Sequence, residues 1–173
     1  GVVGAAAVPL WMLLQRLLGT RGLWFLAAGF CVIGLVLFAG VHIDTAGPMQ
    51  LFLVAMQAVI VGLHFAYWAM LPNTIEYGER ATGLRVEGAV FGMASLLQRI
   101  AIGLATALLA TGFDAAGYVA NVRQSEATLA AMRLTIALVP LAFLALSCVA
   151  MRLNPLGKGE HAKIVQDLEE RAR

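Results

Sequence analysis

Long apolar runs dominate the chain, and each is about as long as a helix that crosses a membrane. A hydrocarbon core of roughly 30 Å requires about 20 apolar residues in an α-helix. The runs are separated by short polar or glycine-containing segments, and the pattern predicts five spans, at residues 2–18, 23–41, 49–71, 88–113 and 134–151. Isolated strands are excluded, because their backbone groups would stay unsatisfied in lipid. The sequence therefore predicts an all-α membrane protein.

Composition supports the membrane class and excludes several kinds of site. The chain is 61% hydrophobic and 13% charged, whereas a soluble domain carries about a quarter charged residues. Gly1 lies inside an apolar run, which favours a fragment of a longer protein. The histidines and cysteines share no metal-ligand spacing, and no phosphate loop or nucleophile motif occurs. A metal site, an enzyme and a nucleic-acid-binding protein are therefore not expected.

The charged residues are distributed unevenly between the two sides of the membrane. Consecutive spans alternate in direction, so the connections fall into two groups. One group holds nine basic residues, namely Arg16, Arg21, Arg80, Arg85, Arg152, Lys158, Lys163, Arg171 and Arg173. The other group holds two, Arg123 and Arg133. By the positive-inside rule the first group is cytoplasmic, which places the loop 72–87 and the tail 153–173 inside the cell. The pattern of residues 164–173, at the end of the tail, predicts a short charged helix.

Arg99 is the one charged residue in the middle of the fourth span. Ionisable residues at that depth are costly and usually face a bundle interior or a water-filled path. Small residues share its helix face at spacings of three and four, namely Gly88, Gly92, Ser95, Gly103, Thr106 and Ala110. Such a stripe allows close approach of another helix. We expect Arg99 to line a solute pathway; the alternative is a structural arginine paired with a carboxylate or with carbonyl groups.

Two further polar segments flank this span. Gln50, Gln57 and His64 recur every seven residues along the third span and form a polar stripe. His64 is either a ligand-binding side chain or a histidine hydrogen-bonded between helices. For the neighbouring aromatic residues 67 and 68, an interfacial belt is favoured over a sugar-stacking surface.

The loop 72–87 alternates in charge through Glu76, Glu79, Arg80 and Arg85. We expect Pro72 to end the third helix, and glycines 78 and 83 to form tight turns. Alternating charges on a cytoplasmic loop suit salt bridges that form in one conformation and break in another. The alternative is a solvated loop without a switching role.

At this loop the chain resembles a known family. Residues 71–92 (LPNTIEYGERATGLRVEGAVFG) are similar to the connection between helices ten and eleven of the glycoside–pentoside–hexuronide:cation symporters. These form the melibiose permease-like branch of the major facilitator superfamily. Residues 117–125 (GYVANVRQS) resemble the outer loop before the last helix, and Pro9–Trp11 with Arg16, Gly19 and Arg21 is a weaker match. The resemblance implies helices eight to twelve of a twelve-helix transporter in a bacterial inner membrane.

The resemblance also implies a site and a mechanism. The substrate would bind near the bilayer midplane between two six-helix halves, with His64, Ser95, Gln98 and Arg99 on one wall. The loop with Glu76, Glu79, Arg80 and Arg85 would belong to the cytoplasmic gate. Transport would be coupled to sodium or protons, and an N-terminal half of the same transporter would complete the cavity.

Three positions depart from the family pattern and bear on the substrate and the gate. Arg99 replaces a common lysine, His64 a tryptophan, and Asn73 an aspartate. Because an arginine can hold a carboxylate through two parallel hydrogen bonds, a glucuronide or galacturonide is one hypothesis. A lipid or lysophospholipid carrier of the same fold and a non-transporting scaffold subunit are the alternatives.

Overall fold

The computed structural model describes residues 2–41 and 45–154, and within them the chain forms four long helices. They are α1 (Val2–Gly40), α2 (Ala46–Thr82), α3 (Glu87–Ala115) and α4 (Glu126–Leu153). Each helix is long and apolar enough to cross a membrane. The predicted all-α membrane class is confirmed.

Helix α1 is broken at Gly19, and the chain folds back on itself there. Gly19 has φ 72° and ψ 168°, a conformation that glycine adopts without steric cost. Gly4 packs against Val61, and Gly34 packs against Met56. On one straight helix Gly4 and Gly34 would be about 45 Å apart, whereas Met56 and Val61 are separated by only about 7.5 Å of α2. The two parts of α1 therefore form a hairpin against α2, as five spans would require; the number of membrane crossings stays a prediction.

A compact core joins this hairpin to α2. Its buried members are Trp11, Leu23, Ala27 and Ala66. The indole of Trp11 covers Gly62, and its Nε1–H donates a hydrogen bond of 2.9 Å to the carbonyl oxygen of Ala58. Small residues on α2 thus let a large aromatic ring lie close to the helix backbone, as is usual where helices pack within a membrane.

The expectation that Pro72 ends the third helix is wrong. Helix α2 continues through Pro72 to Thr82. Leu71 and Ile75 are both buried and lie one turn apart on the same face. Their packing holds the helix together across the hydrogen bond that proline cannot donate. The chain turns instead at Gly83, which has φ 73°.

The two glycines of this segment behave differently. Gly83 adopts the left-handed conformation, and its N–H donates to the carbonyl oxygen of Glu79 at 2.8 Å, which ends α2. Gly78, also expected to allow a turn, lies inside the helix. The predicted loop 72–87 is therefore mostly helical, and only residues 83–86 connect α2 to α3.

Helix α4 starts earlier than its hydrophobic run. The run begins at residue 134, but the helix begins at Glu126. The Ser125 Oγ accepts a hydrogen bond of 3.1 Å from the N–H of Thr128. A serine cap and an acidic first turn extend the helix beyond the apolar stretch.

The C-terminal end of α4 lies beside the turn in α1. The Arg21 guanidinium donates to the carbonyl oxygen of Arg152 at 3.0 Å and to that of Asn154 at 3.4 Å. These contacts occupy carbonyl groups that a helix end leaves free. The C-terminal end of α4 and the turn in α1 therefore lie on the same side of the bundle. The helix predicted at 164–173 lies outside the described residues.

The contact between Trp11 and Gly62 can be tested by adding one carbon atom. A Cβ on Gly62 would lie 2.7 Å from Trp11 Cδ2, and a buried indole cannot easily move aside. We expect Gly62→Ala to lower the Tm of the detergent-solubilised, full-length protein by several degrees, in line with about 1–3 kcal/mol for overpacking.

Gly78→Ala is the matched control for this substitution. A Cβ at Gly78 meets nothing within 4 Å, so the Tm should stay unchanged or rise slightly. Equal Tm values for the two variants would contradict the packing described for the α1–α2 core.

Candidate functional site

A cleft of about 470 Å³ lies between α2 and α3, closed on one side by α1. It is lined by Trp24, Ile60, Leu63, His64, Tyr67, Leu97, Gln98 and Ala101. His64 and Gln98, two of the four predicted substrate-binding residues, line it together from different helices. Apolar walls with a few polar groups are the usual composition of a small-molecule site.

His64 is held by a neighbouring tryptophan one turn further along α2. The Trp68 Nε1–H donates to His64 Nε2 at 2.8 Å. The indole also stacks on Phe91 of α3, with ring centroids 6.4 Å apart and an interplanar angle of 17°. The imidazole is therefore oriented by a residue that is itself packed between two helices.

Tyr67 supplies a second link between the helices at the cleft. Its hydroxyl donates to the carbonyl oxygen of Ala94 at 3.3 Å. Tyr67 and Leu97 also line a neighbouring groove of about 440 Å³ that reaches Ala89 and Val90, near the start of α3. The space between α2 and α3 thus continues from the cleft towards the turn at Gly83.

Arg85 forms two ion pairs at that turn. Arg85 Nη1 lies 3.0 Å from Glu79 Oε2, and its Nη2 contacts Glu87 Oε1. Hydrogen bonding to Glu87 and the charge of that residue, with a smaller contribution from Glu79, raise the pKa of Arg85 above its ordinary value. The other two predicted gate residues, Glu76 and Arg80, are partly buried one turn apart on the last part of α2. Two of the four gate residues therefore pair directly across the α2–α3 turn.

Arg99 lies outside the cleft. It follows Gln98 by one residue, which places it about 100° further around α3, and its side chain is exposed. Within residues 2–41 and 45–154 it makes no hydrogen bond or ion pair. Ser95 is half-buried and does not line the cleft either.

The small-residue stripe of α3 is also open. A Cβ on Gly88, Gly92 or Gly103 would meet nothing within 4 Å. Ala94, on another face of the helix, is buried. The face that carries Arg99 is therefore not the one that packs against the other described helices.

A second cavity adjoins the cleft and is almost wholly apolar. It has a volume of about 430 Å³ and receives side chains from all four helices, including Cys31, Ala105 and Phe143. Trp24, Leu63 and Ala101 line both spaces. Its Ser147 hydroxyl is already used, because it donates to the carbonyl oxygen of Leu144.

Sequence reasoning missed Trp24 and assigned Tyr67 to another role. Trp24 is the second residue of the predicted span 23–41, and the packing of that span beside α2 and α3 brings it to the cleft. Its indole N–H is buried without an acceptor among the described residues. Tyr67, predicted to belong to an interfacial belt, also contacts α3 at the cleft, and its place relative to the membrane stays a prediction. Local sequence gives no signal for such contacts between helices.

Long apolar helices line a sparsely polar cleft, and ion pairs lie at one end of the same groove. These features are those of a multi-pass membrane protein. Among the described residues, no cluster of three His, Cys, Asp or Glu side chains could hold a metal ion. The family model described as MFS/sugar transport protein matches residues 1–158, and the chain belongs to that family.

Curated relatives agree with this assignment. The chain is 27% identical to a glucuronide carrier protein homolog of Escherichia coli (strain K12), over 97% of this chain and 37% of the relative. It is 33% identical to a putative sulfoquinovose importer of the same strain, over 60% of this chain and 22% of the relative. An isoprimeverose transporter of Lactiplantibacillus pentosus is 33% identical, over 59% of this chain and 21% of the relative. The chain therefore matches between 21% and 37% of the length of these proteins.

Proposed function

We propose that the chain is part of a secondary active transporter that carries a sugar, glycoside or hexuronide together with a cation, by alternating access. The observation that carries the proposal is the cleft. His64 and Gln98 line it together with Trp24 and Tyr67. Amide and imidazole groups can hydrogen-bond sugar hydroxyls, and aromatic rings can cover the apolar faces of a sugar ring. Membership of the sugar-transporter family supports this reading.

The arrangement fits helices eight to twelve of a twelve-helix transporter, with the remaining helices closing the cavity. Ser95, Gln98 and Arg99 lie within one turn of α3, about 6 Å along its axis. A substrate held by Gln98 would be within reach of the long Arg99 side chain. The coupling ion would be sodium or a proton. Binding of the ion would raise the affinity for the substrate, and binding of the substrate would raise the affinity for the ion by the same factor, because both favour one conformational state.

The charge distribution and the bacterial relatives support a proposal for the location. The chain belongs to a multi-pass membrane protein with bacterial homologues. We place it in the inner membrane, with its C-terminal tail and the α2–α3 turn on the cytoplasmic side, because nine of eleven loop and tail cations lie on that side.

We propose that the substrate is acidic and that Arg99 binds its carboxylate. Arg99 is exposed on α3 and has no partner among the described residues. A guanidinium at membrane depth requires a charged or hydrated partner. One relative is named a glucuronide carrier homolog, and a glucuronide offers such a carboxylate.

Arg99→Lys in the full-length transporter tests this assignment. Lysine keeps the charge but loses the paired hydrogen bonds, so we expect the uptake preference for free uronates over neutral glycosides to fall roughly tenfold. Uptake of a neutral glycoside serves as the internal control and should change less than about twofold. A wild-type protein that shows no preference for acids would remove the acidic-substrate proposal.

We propose that the ion pairs of Arg85 belong to the cytoplasmic gate. Exposed pairs contribute little to stability, so Arg85→Gln should leave the Tm and the membrane abundance unchanged. If the pairs form in one transport conformation and break in the other, the same variant should change the maximal uptake rate severalfold.

Arg123→Gln is the matched control for the gate variant. Arg123 is exposed on the α3–α4 connection and has no partner in the described part of the chain. Its replacement should leave both stability and rate unchanged. Equal uptake rates for the two variants would contradict a gating role for Arg85.

The apolar cavity beside the cleft favours a second candidate, a lipid or lysophospholipid carrier. A cavity of 150 Å³ already holds benzene, so about 430 Å³ offers room for part of an acyl chain. If the substrate is a lysophospholipid, Ala105→Phe should weaken its binding roughly tenfold or more. If the substrate is a small sugar, the same substitution should leave its KM nearly unchanged.

Ala107→Phe controls for the added ring. Ala107 is exposed about 200° around α3 from Ala105, so this variant should behave like wild type towards both ligand classes. Lysophospholipid binding in wild type that Ala105→Phe abolishes, with no sugar uptake, would establish the lipid carrier and overturn the sugar carrier.

A further inference from the structure

The contact between Trp68 and His64 determines which nitrogen of the imidazole carries its proton. An indole N–H can only donate a hydrogen bond. Because Trp68 Nε1 lies 2.8 Å from His64 Nε2, that histidine nitrogen must be the acceptor. The proton of the uncharged ring then resides on Nδ1.

Trp68 is well placed to maintain this contact. Its ring stacks on Phe91 and meets Tyr67 edge-on, with ring centroids 5.6 Å apart and an interplanar angle of 78°. Phe91 belongs to α3, so the orientation of the indole depends on both walls of the groove. The donor is therefore held by packing and not by the hydrogen bond alone.

The other ring nitrogen of His64, Nδ1, has no hydrogen-bond partner among the described residues. Within the described part of the chain, His64 makes one hydrogen bond, and Trp68 is its partner. His64 nevertheless lines the cleft. An Nδ1–H group there remains available to a bound solute.

We propose that Trp68 is a positioning residue that fixes His64 in the Nδ1-protonated tautomer, so that His64 donates a hydrogen bond to an acceptor oxygen of the transported sugar. This inference rests on the proposed sugar transport. It assigns a direction to one contact: the protein donates and the substrate accepts through a hydroxyl, ring or carboxylate oxygen. Gln98 across the cleft can do both.

The tautomer can be measured without transport. In full-length protein labelled with ¹⁵N-histidine, the His64 signals, identified by their loss in His64→Asn, should show one protonated nitrogen, at Nδ1. Trp68→Phe keeps an aromatic ring beside Phe91 but removes the N–H, and it should give a mixture of tautomers. Phe91→Tyr keeps both the stacked ring and the indole N–H, and it should retain the wild-type signals. Identical spectra for wild type and Trp68→Phe would overturn the inference.

Transport by two histidine replacements tests the role of the donor. The amide nitrogen of asparagine can occupy the place of Nδ1, whereas glutamine extends towards the place of Nε2. We expect His64→Gln to raise the KM roughly fivefold, the effect of one hydrogen bond, and His64→Asn to raise it by a smaller factor. Trp68→Phe should raise the KM by a similar factor while leaving kcat unchanged.

The outcomes separate this inference from the function on which it rests. Equal KM values for the asparagine and glutamine variants, in a protein that transports sugar, would overturn the donor role and leave sugar transport intact. Absence of uptake of any sugar by wild type would overturn the proposed function, while the ¹⁵N spectra would still test the tautomer.

Discussion

The packing of Trp11 against Gly62 determines how α2 is rotated, and the rest of the groove depends on that rotation. The indole lies over the glycine and is hydrogen-bonded to the backbone of α2 at Ala58. His64 follows Gly62 by two residues, so it lies about 200° away around the helix. Burying one face of α2 against the α1 hairpin therefore turns His64 away from the core and into the cleft beside α3. A bulkier residue at position 62 would separate the helices or rotate α2.

The groove between α2 and α3 combines rigid and adjustable contacts. Trp68, Phe91 and Tyr67 join the helices near the cleft through stacked rings and a hydrogen bond to the backbone. At the far end, the contacts of Arg85 are exposed ion pairs, which contribute little to stability and exchange readily. A site held by packing beside a turn held by charges suits a transporter, because the binding residues keep their geometry while the end of the groove rearranges.

The sequence predicted the helical membrane class, because that conclusion follows from the lengths of the apolar runs. The resemblance to the symporter family, and not the pattern of the chain, implied a shared site. His64 and Gln98 both line the α2–α3 cleft, whereas Ser95 and Arg99 do not. The sequence did not predict that α2 continues through Pro72, since packing on the face of Leu71 outweighs the local effect of proline. Nor could it place Trp24 beside the cleft, because that contact depends on which helices pack together. Long-range packing, not local propensity, determines these features.

If the α2–α3 cleft binds the transported sugar, it must admit water, and a residue on its wall must be protected by the substrate. The direct measurement is cysteine labelling of the full-length transporter, with other cysteines replaced, using a small membrane-impermeant thiol reagent at Gln98→Cys. Leu138→Cys is the comparison site, because Leu138 is exposed on α4 and that helix contributes no side chain to the cleft. We expect position 98 to be labelled, position 138 to react far more slowly, and saturating substrate to protect only position 98. Failure to label position 98, or labelling that the substrate does not slow, would contradict sugar binding in this cleft.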